Sequence, residues 1–228
     1  MVSKKIAIIS PCNFHHKKYL IELMQCLDSE IEIYRYTSNK KIDINSNLFK
    51  KNMILYEKKM YKKEYKDRIL KIKYEIKNLD EILILNWEKY DFVLVYGLPK
   101  LRENHIEKIG KNKIFNHHGA VLPFIRGLDS EYWSISKGNF FEVGVSLHKL
   151  NYKLDEGDIF ETYTMKKIPI LIWRIRWQKA KYHALLASNL IKQEKISLKK
   201  NNLENGIYKS TAPFLVRIIS FFRCLVKI

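Results

Sequence analysis

Two short stretches without a polar interior constrain this chain most. They are Ile6-Ala7-Ile8-Ile9, closed by Pro11, and Phe92-Val93-Leu94-Val95-Tyr96, closed by Gly97. Each is too short for an ordinary helix and leaves no face for water, so each reads as a strand buried on both sides. Strands of that kind belong to a parallel sheet with helices packed over both faces, and the sequence supplies the helices. Tyr19, Leu20, Leu23, Met24 and Leu27 recur at helical spacing, as do apolar positions in 56–79, 101–109, 130–138 and 171–198. Further strands are expected around Ile31–Tyr34 and over 113–116, 143–150 and 159–164, with a polar Asn- and Lys-rich stretch before the 56–79 helix. The expected fold is α/β: a twisted, mostly parallel sheet with helices on both faces over residues 1–168, then a basic helical C-terminal extension over 169–228.

The composition agrees. A chain of 228 residues with 46% hydrophobic and 29% charged residues can build one sizeable core and is not a disordered sequence. Three cysteines, Cys12, Cys26 and Cys224, make no disulfide framework and no C-x-x-C pair, which fits a reducing cytoplasm. No apolar run reaches the ~20 residues of a membrane span, and the start lacks the features of a signal peptide, so the chain is expected to begin mature at Met1 and not to cross a bilayer. The net charge of +18 calls for an acidic partner. It is uneven: residues 34–80 carry +8 and 166–228 carry +12, whereas 81–165 carry −2. The middle is therefore where chemistry is sought, and the flanks read as solvated helix faces or docking surfaces.

Open parallel sheets place ligands beyond the carboxyl ends of their strands. The loops at 11–16, 97–102 and 116–127 qualify. None carries the glycine pattern of a dinucleotide or P-loop phosphate site. In Asn116-His117-His118-Gly119 a strand runs into polar residues, and alternation puts Asn116 and His118 on one face and His117 on the other. Downstream, Leu154-Asp155-Glu156-Gly157 ends a strand in a turn. An amide to stabilise an oxyanion, an imidazole to exchange a proton and a carboxylate to orient it are the groups acyl transfer needs, without a Ser or Cys nucleophile if an amine of the substrate attacks. A zinc site using His117, His118 and Asp155 is disfavoured because the two histidines point apart.

Four motifs in order, Asn-x-His (Asn116, His118), Leu-Pro-x-x-Arg-Gly (Leu122, Pro123, Arg126, Gly127), Gly-Val-Ser-Leu-His (Gly144 to His148) and Leu-Asp-x-Gly (Leu154, Asp155, Gly157), resemble the folate-dependent formyltransferases. The resemblance implies a Rossmann-like, formyltransferase-type sheet and 10-formyltetrahydrofolate as co-substrate. It implies His118 as catalytic histidine, Asn116 as donor to the formyl oxygen and Asp155 as the carboxylate that keeps His118 charged. It places Gly97, Leu98, Lys100, Leu101, Arg102 and Leu154 around the folate, with Asn13 and Arg126 as candidate substrate contacts. Gly119 and Ala120 replace the family's Pro and Ser. The first loop lacks the Gly-Asn-Gly cradle of phosphoribosylglycinamide transformylases, and the residues after Ile170 are too few and too helical for the tRNA-binding barrel of methionyl-tRNA formyltransferases. The resemblance is thus greatest to the sugar N-formyltransferases, whose acceptors are nucleotide-linked amino sugars for bacterial surface polysaccharides.

Other acceptors stay open: methionyl-tRNA, phosphoribosylglycinamide or, in a deformylase, water. So does a non-catalytic basic module on the same scaffold, although nucleic acid is not the expected partner. Lys58, Lys59, Lys62, Lys63 and Lys66 are expected to form a solvated face, and Trp173 and Trp177 a packing stripe. His15, His16, His105, His117 and His148 are expected to be structural. The tail 213–228 mixes Phe214, Leu215, Ile218, Phe221, Phe222 and Leu225 with Arg217, Arg223 and Lys227. It is expected to pack on the protein or a second subunit, or to lie peripherally on the inner membrane face.

Overall fold

The computed structural model describes residues 4–37 and 48–226. Lys5–Ser10 (β1) is followed by the helix Phe14–Cys26 (α1), the strand Glu30–Tyr36 (β2), the helix Leu48–Tyr65 (α2) and the short strand Tyr74–Ile76 (β3). Phe92–Tyr96 (β4), Glu103–Ile109 (α3) and Ile114–His118 (β5) form the second half of a parallel unit. Then come Ile125–Gly127 (β6), Ser130–Lys137 (α4), Gly144–Lys149 (β7), Ile159–Thr164 (β8), Ile175–Lys192 (α5), Ile207–Lys209 (β9) and Phe214–Val226 (α6). Seven strands form one sheet in the order β3-β2-β1-β4-β5-β7-β8. The first five run parallel, and β7 and β8 are antiparallel to their neighbours.

Both faces of the central strands are covered, which is why β1 and β4 need no polar positions. Ile6 and Ile8 enter a cluster with Tyr19, Leu20, Leu94 and Phe115, roofed by Ala180, Ala184 and Leu190 of α5. The alternate residues Ala7 and Ile9 join Val93, Val95, Ile106, Ile109 and Trp87 on the other face. The indole N–H of Trp87 donates to the Ile82 carbonyl at 2.8 Å, so this large ring is buried without an orphaned donor. A third cluster joins Tyr132 and Ile135 of α4, Ile172 and Ile175, and Cys224 of α6.

Several expectations are corrected. The helix expected over 56–79 lies at Leu48–Tyr65. It stops because Lys66 and Asp67 adopt left-handed backbone angles (φ 48° and 54°), and the residues beyond supply β3, an edge strand paired with β2. The polar stretch before it falls mostly in 38–47, outside the described residues, as do Lys227 and Ile228. The helix expected over 171–198 is shorter, α5 alone, preceded by a 3-10 turn at Ile172–Arg174. Trp173 and Trp177 both pack, but apart: Trp173 stacks on Phe221, and Trp177 is buried in the α1–α5 cluster. The small parallel pair β6–β9 has no counterpart in the sequence reading.

Candidate functional site

Strand β5 delivers Asn116 and His118 to one side of the sheet edge and His117 to the other. The antiparallel register of β7 sets His148 directly opposite Asn116. The turn joining β7 to β8 brings Asp155 into the same space, with φ 54°. That turn is held tightly: the Asn201 amide donates to the carbonyls of Asp155 and Gly157 at 3.0 and 3.2 Å. Gly157 is packed so closely that a Cβ would sit 1.8 Å from the Lys149 carbonyl oxygen. Asp155 Oδ2 accepts the Gly127 backbone N–H at 2.9 Å.

The structure therefore brings Asn116, His118 and Asp155 together and adds His148. Asn116 Nδ2 lies 3.1 Å from His148 Nε2 and 3.4 Å from Asp155 Oδ1. His148 Nδ1 donates to the Lys149 carbonyl at 2.7 Å, leaving Nε2 as the acceptor for the amide. His118 Nε2 donates to the Ile125 carbonyl at 2.9 Å, and Nδ1 faces Asp155 Oδ2 at 3.4 Å. His118 and Asp155 are both 5% exposed, so their charges are set by each other and not by water.

Burial pulls the His118 imidazole below its ordinary pKa, and the Asp155 charge only partly opposes this. Burial alone would raise the Asp155 carboxyl, but His118, His148 and the Gly127 N–H together hold it below the usual carboxylate range. At neutral pH the site is thus a carboxylate beside a neutral imidazole. Asp155 partly offsets that burial, and the pair is placed to receive a proton on His118 Nδ1.

Above these groups a groove of about 40 Å³ is lined by Leu98, Lys100, Leu101, Leu150, Leu154 and the side chains of Asn116, His148 and Asp155. Leu98, Lys100, Leu101 and Leu154, the residues the resemblance assigned to the folate, thus line one groove. Gly97 and Arg102 do not line it: Gly97 (φ 77°) packs against His16, and Arg102 pairs with Asp80 and starts α3. Arg126 is engaged with Glu156 at 2.7 Å. Asn13 lies in a separate pocket of about 300 Å³, with Lys17, Lys50, Glu57 and Arg176 among its walls.

Sequence reasoning missed three contributors. His148 ends the Gly144–His148 motif but was read as structural, and only the β7 register sets it opposite Asn116. Asn201 is a polar residue of an irregular segment, and no local pattern reveals it. Lys179 is buried on α5, where Nζ donates to the Gly119 carbonyl at 2.5 Å and pairs with Glu131 at 3.2 Å, fixing the chain immediately after His118. On the far side of β5, His117 bonds Tyr19 Oη at 2.9 Å and meets His183 at 3.2 Å, with His16 beside Tyr96. His15 pairs with Glu57, which Arg176 also grips through two bonds. Among the described residues there is no cluster of His, Cys, Asp and Glu suited to a metal ion.

No family model matches the chain. Over 91 residues it is 35% identical to the bifunctional polymyxin resistance protein ArnA of Wigglesworthia glossinidia brevipalpis, a match covering 40% of this chain and 14% of that protein. Over 145 residues it is 30% identical to the methionyl-tRNA formyltransferase of Prochlorococcus marinus, covering 58% of this chain and 42% of that enzyme. The chain thus spans less than half the length of these curated relatives. Its structure superimposes on a 4-N formyltransferase from Francisella tularensis with a TM-score of 0.62 at 14% identity, over 97% of this chain and 87% of that one. It superimposes on an N-formyltransferase from Helicobacter canadensis, in complex with folinic acid and dTDP-3-aminofucose, with a TM-score of 0.58 at 18% identity, over 98% and 81%. The fold is that of the formyltransferases. Over part of its length the sequence is also similar to a methionyl-tRNA formyltransferase.

Proposed function

We propose that this protein is an N-formyltransferase that moves a formyl group from 10-formyltetrahydrofolate to the amine of a nucleotide-linked amino sugar, feeding bacterial surface polysaccharide synthesis. The observation that carries the reading is the convergence of Asn116, His118 and Asp155 at the carboxyl end of β5, beneath the groove. The groove suits a flat heterocycle with an acidic tail: leucines wall it, polar groups form its floor, and the exposed Lys100 and Lys153 stand at its mouth. At about 40 Å³ the groove must widen to admit a bicyclic ring. The donor supplies an activated formyl carbon, and the remaining roles fall to the chain.

Asn116 donates from Nδ2 toward the oxygen that gains charge, giving up its long 3.4 Å contact with Asp155 while His148 keeps the amide oriented. Neutral His118 takes the proton that the attacking amine loses, on Nδ1, Asp155 stabilises the imidazolium so formed, and that proton passes to N10 of the folate as its bond to the formyl carbon breaks. For the acceptor, Lys17, Lys50 and Arg176 around Asn13 offer cations suited to a diphosphate. The related sugar enzyme bound to dTDP-3-aminofucose, with the same fold, supports an amino sugar acceptor over tRNA. The test is amine-dependent release of tetrahydrofolate by the wild-type protein and by Asn116→Ala, His118→Ala and Asp155→Asn. Formate release that needs no amine would replace the transferase reading with hydrolysis.

A further inference from the structure

Helix α6 packs one side onto the protein and leaves the other bare. Its inner side is well anchored: Ser220 Oγ donates to the Tyr132 carbonyl at 2.6 Å, and buried Arg217 pairs with Asp129 at 2.5 Å. On the outer side, Phe214, Leu215, Ile219, Phe222, Leu225 and Val226 are 37–66% exposed. At 100° per residue these six positions fall within an arc of about 140°, so they form one continuous apolar stripe. Exposed apolar patches of this kind are rare on protein surfaces without a partner.

The rim of the stripe is cationic. At the C-terminal half of α6, Lys166, Lys167 and Arg223 line a pocket of about 430 Å³ with Phe140, Ile168 and Cys224. Among the described residues none of these three cations has a carboxylate within ion-pair distance, whereas Arg217 on the inner side does. The segment 166–228 carries +12. Two copies apposed through this face would bring like charges together, and an anionic surface would neutralise them.

We infer that the exposed face of α6 docks onto an anionic phospholipid surface, with its apolar stripe at the acyl boundary and lipid phosphates in the Lys166–Lys167–Arg223 pocket. This rests on surface chemistry alone and is independent of the catalytic reading. The test is co-sedimentation of the full chain with vesicles of phosphatidylcholine, with and without one-third phosphatidylglycerol. At low salt, binding to the anionic vesicles should be at least tenfold stronger and should weaken as salt rises. Leu215→Asn/Phe222→Asn and, separately, Lys166→Gln/Lys167→Gln should each lower it at least fivefold, with the far-UV circular dichroism spectrum unchanged. Equal binding to both vesicle types, or none, overturns the proposal for the wild-type protein without any variant. So does a concentration-dependent dimer in analytical ultracentrifugation that Leu215→Asn/Phe222→Asn abolishes, which would make the face a self-association surface.

Discussion

Both ring nitrogens of His118 face acceptors, the Ile125 carbonyl on one side and the Asp155 carboxylate on the other. Such an imidazole is poised to gain a second proton, yet its burial keeps it neutral until one is delivered. Removing the imidazole in His118→Ala or the Nδ2 donor in Asn116→Ala should each lower kcat by ~10²-fold or more, with an unchanged unfolding midpoint. Asp155→Asn keeps the left-handed turn, which Asn tolerates, and should lower kcat similarly. His148→Phe, which removes the group orienting Asn116 and a neighbour of Asp155 in the groove, should cost about tenfold in kcat. The pH profile carries the sign of the His118 shift. Neutral His118 is the working form and its pKa lies below the ordinary 6.5, while Asp155 stays ionised. Turnover should therefore be flat through neutral pH and fall only as pH drops below about 6.5. A rate that rises toward acid would show that protonated His118 is the working form.

At the scale of elements, α1, β5 and α5 share a buried seam of imidazoles. His16, His117 and His183 are all held below their ordinary pKa, first by burial and then by neighbouring histidines or cations, with His117 lowered to about 3. In the unfolded chain these groups take up protons below about 6.5, and in the folded chain they do not. The stability they allow is thus complete at neutral pH and lost as pH falls, at up to ~1.4 kcal/mol per pH unit for each imidazole. Urea unfolding should show a lower midpoint at pH 5.5 than at pH 7.5, and His183→Leu should flatten that dependence; a pH-independent midpoint would contradict this. The same elements show what was legible in the sequence. β1 and β4 could be read because burial on both faces leaves an apolar run, and β5 because Ile114 and Phe115 lead into the alternating Asn116, His117 and His118. α2 was misplaced by eight residues at its start because Lys and Tyr continue at helical spacing past Tyr65, and the stop lies in the backbone angles of Lys66 and Asp67. β6 and β9 are three residues each and exist only through their mutual pairing, which no local pattern can announce.

At the scale of the whole molecule, the basic flanks and the nearly neutral middle have separate places. The middle holds the site, the +8 stretch includes α2 with its exposed lysines, and the +12 stretch includes α5 and α6. Asn116, His118 and Asp155 were legible because each sits in a motif tied to a strand end. Asn201 and Lys179 were not, because they reach the site from the C-terminal third through tertiary packing. Among the described residues, no helix is long and apolar enough to cross a membrane. The central claim is formyl transfer to an amino sugar. Its most direct test incubates the protein with 10-formyltetrahydrofolate and a panel of amino sugars linked to UDP, dTDP or GDP, following tetrahydrofolate spectrophotometrically and the sugar by mass spectrometry. Tetrahydrofolate release should depend on one of these sugars, with stoichiometric formation of its formamide and loss of both signals in His118→Ala. Folate turnover with formate as the product whatever amine is present would contradict the central claim.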